Sequence, residues 1–193
     1  LKKSAFYYDK KGNLFDENNK PVEFDLYTNA GQTEREAVGV MIKEDLKNIG
    51  MKVNFKPVEF NSLVNKLLTT SDWDMILIGL TANPLGPHSG KNVWNPRRHL
   101  HMFNMRFDGD KNDEFLPWEK ELDDIIEKGA LELDFDKRKE IYDKYQEIIY
   151  TQKPIIYLYS PLIVVAVRNK IKNLHPTALG GAMHNLDELY IEN

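Results

Sequence analysis

Three histidines, His88, His99 and His101, stand close together in one irregular stretch of the chain. Imidazole nitrogens are good ligands for zinc or nickel. In extended backbone, side chains two apart point the same way, so His99 and His101 could share a metal with His88, the basis of a metal-dependent hydrolase. The convergent Asp and Glu residues that usually complete such a set are not evident, and the same histidines would serve as polar loop groups bonded to a ligand or to a neighbouring strand. Ser89, in Gly86-Pro87-His88-Ser89-Gly90, comes one place too late for a nucleophile elbow, and no strand runs directly into it. There is no cysteine, no P-loop and no G-x-G-x-x-G after a strand. The chain therefore reads as a non-catalytic protein, with no catalytic residue, no metal site and no cofactor assigned.

A binding chemistry fits better. Trp94 stands beside Asn92, Asn95, Arg97 and Arg98. An aromatic plate next to amides and guanidinium groups suits flat ligands, sugars or peptide planes, and anchoring of the loop is the other role open to Trp94. The acidic clusters Glu119-Lys120-Glu121 and Asp123-Asp124 have lysines nearby and read as a solvated helix face. Trp118 reads as a core or staple residue.

The elements that must position these groups begin with the apolar run at residues 75–78, which suits a strand covered on both faces. It ends in Gly79-Leu80-Thr81-Ala82-Asn83-Pro84. Ligands of open α/β sheets gather outside the carboxyl ends of the strands, so this loop is the first place to look for a site. Upstream, the first residues read like the end of a helix, and residues 12–21 as a polar surface loop. A half-buried strand follows at residues 22–27. Thr33 and Glu36 have capping-box spacing and predict a helix whose stripe is Ala37, Val38, Met41, Ile42, Leu46 and Ile49, stopped by Gly50. A second strand spans residues 51–56, with Pro57 marking its end or a sheet edge. A second helix is capped by Asn61 or Ser62 and broken at Ser71-Asp72. The order is βαβαβ, which makes the sheet parallel.

From Thr81 to Pro117 the pattern is irregular, as in functional loops. Pro117 then opens a helix that Gly129 ends. Asp134 or Asp136 opens a longer one, ended by Lys153-Pro154. Strands are predicted at residues 155–159 and 162–167, then a loop around Gly180-Gly181 and a final strand near residues 186–191.

Length and composition agree with this reading. A chain of 193 residues with 41% apolar content suffices for one domain with a proper core. The net charge of −4, without a basic stripe, argues against nucleic acid as a partner. No apolar run approaches the roughly 20 residues of a membrane helix. Absence of cysteine rules out disulfides and fits an extracytoplasmic bacterial protein.

The ordered motifs resemble the C-terminal part of the solute-binding proteins of bacterial ABC importers, the oligopeptide/dipeptide/nickel-binding family 5. The cues are Val22-Glu23-Phe24-Asp25-Leu26-Tyr27-Thr28 followed by Ile42-Lys43-Glu44-Asp45-Leu46-Lys47-Asn48-Ile49-Gly50-Met51-Lys52-Val53. Trp73-Asp74-Met75 leading to Pro84 comes next, then Lys137-Arg138-Lys139 and Gln152-Lys153-Pro154-Ile155-Ile156-Tyr157-Leu158-Tyr159. Trp94-Asn95, Leu100-His101-Met102 and Pro117-Trp118-Glu119 look like one branch of that family.

The resemblance implies an α/β, periplasmic-binding-protein-like lobe: a mixed, mostly parallel sheet with helices on both faces. Residues 1–193 would form a single C-terminal lobe, with the N-terminal lobe of the same protein missing. The implied role is solute capture outside the cytoplasm, in the periplasm or lipid-anchored at the cell surface, with delivery to a membrane permease. The ligand-facing residues would be Leu80, Thr81 and Asn83 of the loop, with Trp94, Asn95, Arg97 and His101. Peptide-binding relatives carry an Asp in this loop that pairs with the peptide's amino terminus; here Asn83 takes its place, and Leu80 replaces a Trp. An oligopeptide is then joined by an oligosaccharide or another polar solute as a candidate.

Overall fold

Backbone alternation and helical stripes become two separate bodies in the computed structural model, which describes residues 5–81, 86–98, 100–104 and 115–192. The division falls between Leu80 and Thr81. The predicted helical start falls chiefly on residues outside those described, and Ala5 and Phe6 are not helical.

The first unit opens with a small antiparallel hairpin, β1 (Tyr7–Tyr8) and β2 (Leu14–Phe15). The turns on either side of β2 are built by carboxylates. Asp9 accepts the amides of Lys11 and Asn13, each at 2.8 Å, and Asp16 those of Asn18 at 2.9 Å and Lys20 at 2.8 Å. The stretch is not wholly surface loop, because Leu14 is buried and its amide donates to the Gly50 carbonyl at 2.8 Å. Gly50 has φ +79°, and a Cβ there would also strike the Gly12 carbonyl at 2.4 Å. The glycine thus stops the preceding helix and admits the hairpin.

β3 (Glu23–Asn29) is the middle strand of a parallel sheet of order β4-β3-β5. Its first residues are partly exposed and its last four, Leu26 to Asn29, are buried. α1 (Thr33–Asn48) follows. The helix begins where predicted, but Gln32 is the N-cap, and Glu36 reaches back to the Gly31 amide at 2.7 Å. Val38, Ile42 and Leu46 pack on the Leu26, Val53 and Leu77 core, whereas Met41 and Ile49 are exposed. β4 (Lys52–Val58) runs through Pro57, which an edge strand tolerates.

α2 (Phe60–Asn65) is capped by Glu59. It continues into a π-helical turn, Lys66–Thr70, and stops at Ser71 with φ 51°. β5 (Met75–Ile76) pairs parallel with β3. Its pairing extends to Leu77, whose amide donates to the Tyr27 carbonyl at 2.8 Å. Asp74 fixes the start of β5 by accepting the Asp25 amide at 2.8 Å.

The second unit is mainly helical. A 3₁₀ turn, Pro87–Gly90, leads into α3 (Lys91–Trp94). α4 (Pro117–Leu131) and α5 (Phe135–Gln152) pair around Leu122, Ile125, Ile126, Tyr142, Tyr145 and Ile149. Pro117 and the Asp134 cap stand where the sequence places them. Gly129 does not end α4. It lets the helices approach, since a Cβ there would lie 2.7 Å from the Tyr142 ring. Residues 155–167 form no strand, although β-branched and aromatic residues predict two. Leu162, Ile163 and Val164 are 90%, 93% and 86% exposed. A strand-forming sequence needs neighbouring strands to bond and to cover it, and among the described residues none is supplied. The chain closes with β6 (Ile171–Lys172) paired antiparallel to β7 (Tyr190–Ile191).

Candidate functional site

The carboxyl ends of β3, β4 and β5 lie at one edge of the parallel sheet. The chain leaves that edge through Ala30-Gly31 after β3, through Glu59 and Phe60 after β4, and through Gly79 and Leu80 after β5. Phe60 and Leu80 are 60% and 49% exposed. Thr28 locks the edge from beneath, its Oγ1 donating to the Leu77 carbonyl at 2.9 Å, and is fully buried. Arg35 projects from the first turn of α1, with Nη1 donating to the buried Asn29 side-chain carbonyl. A Cβ on Gly79 would lie 2.9 Å from Arg35 Nη2. The guanidinium is thus held against the ends of β3 and β5 together. Sequence reading missed Arg35; its signal was a basic residue just after a strand's carboxyl end, together with the glycine after the next apolar run.

The other predicted site residues have separate fates. Leu80 and Thr81 are exposed. Asn83 and His99 lie outside the described residues. Trp94 is 6% exposed and turned into the second unit's core, tilted against Phe103 at 5.5 Å and edge-on to Tyr145 at 6.2 Å. Asn95 is buried; it accepts the Arg97 amide at 2.8 Å and donates to the Asp123 carboxylate. Arg97 is exposed and lies over the Phe115 ring at 5.4 Å.

His101 is 2% exposed and Glu119 0%. His101 Nδ1 is 2.9 Å from the Val93 carbonyl and Nε2 2.9 Å from Glu119 Oε1. Glu119 also accepts from Asn104 Nδ2 at 2.6 Å and from the Leu116 amide at 2.8 Å. Burial pushes the Glu119 carboxyl up, but hydrogen bonds from Asn104, His101 and the Leu116 amide outweigh it and hold it below the usual range. Both ring nitrogens of His101 thus lie within hydrogen-bonding distance of a partner inside the unit. The acidic cluster is therefore not entirely a solvated face. Glu119 is its exception, buried because a histidine from the preceding loop and a helix-start amide satisfy it.

The three branch motifs meet here. Phe103 stacks on Trp118 at 6.0 Å and packs against His101 at 4.3 Å.

This geometry leaves His101 without a free nitrogen for a metal, while His88 is exposed. Among the described residues, no group of three or more His, Cys, Asp or Glu could hold a metal ion. Ser89 Oγ donates to the Gly86 carbonyl at 3.1 Å. No described helix is long and apolar enough to cross a membrane.

A model of the bacterial extracellular solute-binding proteins, family 5, middle region, matches residues 1–98. A Deinococcus radiodurans protein named "Probable ABC transporter-binding protein" is 32% identical over 149 residues, which are 69% of this chain and 24% of that protein. Among solved structures, the oligopeptide-binding protein AppA of Bacillus subtilis, in complex with a nonapeptide, superposes with TM-score 0.69 at 18% identity. The match covers 98% of this chain and 35% of AppA. MelB of Agrobacterium fabrum, in complex with stachyose, superposes with TM-score 0.63 at 19% identity, over 77% of this chain and 23% of MelB. These two likenesses establish the periplasmic-binding-protein-like fold, and the chain spans about a quarter to a third of the proteins it matches. With half of its length matched by the family model, the chain belongs to the bacterial extracellular solute-binding proteins, family 5.

Proposed function

We propose that this chain supplies one wall of the solute cleft of an ABC-importer receptor that acts outside the cytoplasm. Residues 1–193 serve as a C-terminal lobe, and another lobe of the same protein closes over the solute before delivery to the permease. One observation carries the reading: the parallel order β4-β3-β5 gathers three strand ends at one edge and leaves Leu80 exposed there. Open α/β sheets bind ligands at such an edge. Leu80, Thr81 and Asn83 face the solute. Arg97 is proposed as a polar contact in its own right, while Trp94, Asn95 and His101 act indirectly, through their packing and hydrogen bonds within the second unit. The exposed residues 156–167 take strand partners from the rest of the full-length protein.

The solute is a polar molecule such as an oligopeptide or an oligosaccharide. The relatives bound to a nonapeptide and to stachyose span that range, and Asn83 brings no charge to select a free ammonium. The role is capture without chemical change. Calorimetry of the full-length protein against a broad panel of peptides, oligosaccharides and metal chelates tests this. The expected result is one-to-one binding of at least one class, with the solute recovered intact. A protein that binds no member, or that converts one, contradicts it.

A further inference from the structure

Three carboxylates of α4, Glu119, Asp123 and Glu127, recur every four residues and so line one side of the helix a turn apart. The segment that begins at α3 is fastened along that side. Lys91 pairs with Glu127, Asn95 donates to Asp123, and His101 and Asn104 meet Glu119 Oε1 at 2.9 and 2.6 Å. Residue numbers rise from 91 to 104 while those of their partners fall from 127 to 119, so the segment runs antiparallel to the helix. The middle rung reaches further than the others. Asn95 is buried and uses both ends of its amide: Nδ2 donates to Asp123, and Oδ1 accepts the Arg97 amide at 2.8 Å. An ionised carboxylate can only accept, so Asp123 turns the Asn95 nitrogen to α4 and leaves the oxygen for Arg97. The Arg98 amide donates to the Asn95 carbonyl at 3.0 Å, and the His101 amide to the Arg98 carbonyl at 3.1 Å. The Arg97 backbone is thus held between two rungs while its side chain is exposed.

We infer that Asp123 is a positioning residue for solute capture: through Asn95 it fixes the backbone of Arg97, and with it the reach of the guanidinium. This rests on the reading of Arg97 as a solute contact and adds what holds that contact in place. A long side chain on a loose loop loses backbone and rotamer freedom together when it binds, whereas one whose backbone is already held loses less. Glu119 and Glu127 fasten the segment on either side of this rung. Asp123 acts on Arg97 through one intervening side chain, so its effect on binding should depend on Arg97.

The test is a double-mutant cycle in the full-length protein, read by calorimetry with two probes, a Gly-Ser nonapeptide and stachyose. Arg97→Ala, at an exposed position, should weaken at least one probe about tenfold or more, the loss of a charged hydrogen bond. Asp123→Ala should weaken the same probe about fivefold or more, but no more than about twofold once Arg97→Ala is present. Asn95→Asp combined with Asp123→Asn reverses the hydrogen bond between the two side chains and keeps an acceptor for the Arg97 amide. That exchange should bring binding back to within about threefold of the wild type. If Asp123→Ala fails to fold, Asn95→Asp alone keeps the acceptor but sets two carboxylates together, and should show the same dependence on Arg97. A purely structural Asp123 would lower the melting temperature and leave the two binding effects additive. That result overturns the inference, as does wild-type affinity for both probes in Arg97→Ala, and either one leaves the receptor reading in place. A wild type that binds neither probe overturns the inference together with the solute classes it rests on.

Discussion

Two clusters of polar and aromatic residues look alike in the sequence and behave in opposite ways in the structure. Around His101, each ring nitrogen and both carboxylate oxygens of Glu119 find partners within the second unit. Trp94, Phe103 and Trp118 close over them. At the carboxyl edge of the sheet, Arg35 is anchored at one nitrogen while Phe60 and Leu80 remain exposed. The first cluster spends its hydrogen-bonding capacity on itself and the second keeps part of it outward. Residue type alone, a histidine beside a tryptophan or an arginine beside a glycine, does not separate a clasp from a binding surface; the count of internal partners does.

The strongest way to break this contrast is to remove a partner from the closed cluster. Glu119→Ala leaves the buried His101 ring, the Asn104 side-chain amide and the Leu116 amide without their acceptor, and should cost about 3–5 kcal/mol in urea denaturation of the full-length protein. A loss under about 1 kcal/mol would mean that the clasp is not structural. Next comes Gly129→Ala, whose methyl would press on Tyr142 and should cost about 1–3 kcal/mol by the same measurement. Arg35→Gln should cost only about 1 kcal/mol, the hydrogen bond to Asn29. A larger loss would move Arg35 into the structural class.

Acidification sharpens the comparison further. The folded state holds the Glu119 carboxyl below its usual value, so the unfolded chain binds more protons. The stabilisation is complete above the ordinary carboxyl value of about 4.3 and is lost as pH falls through the depressed folded value. The wild type should lose stability in that acid window and Glu119→Gln should lose less. Parallel acid titrations of the two proteins would contradict this.

Much of the sheet unit could be read from local pattern. Alternation marks β3 and β4, a helical stripe marks α1, and the strand–helix–strand order gives the parallel sheet. Pro117 and Asp134 announce the second unit's helices because capping chemistry is local. Long-range partners are harder to read. Glu119 reads as solvent-facing because its partner His101 is far away in sequence, although both belong to motifs of the same family branch. Gly129 reads as a stop because a glycine that admits a neighbouring helix looks the same in sequence. Residues 155–167 read as strands from composition, yet composition does not provide the strand they would pair with. At the site, Leu80 and Thr81 were legible as the loop after an apolar run, whereas Arg35 was hidden as one more polar position in an amphipathic helix.

The central claim is that the exposed edge around Leu80 faces the solute. Native mass spectrometry of the full-length protein, wild type beside Leu80→Arg, tests it most directly. Leu80 is exposed, so the substitution should leave the melting temperature nearly unchanged. The account predicts an equimolar, chemically intact solute on the wild type and little or none on the variant. Equal solute on both proteins would contradict it.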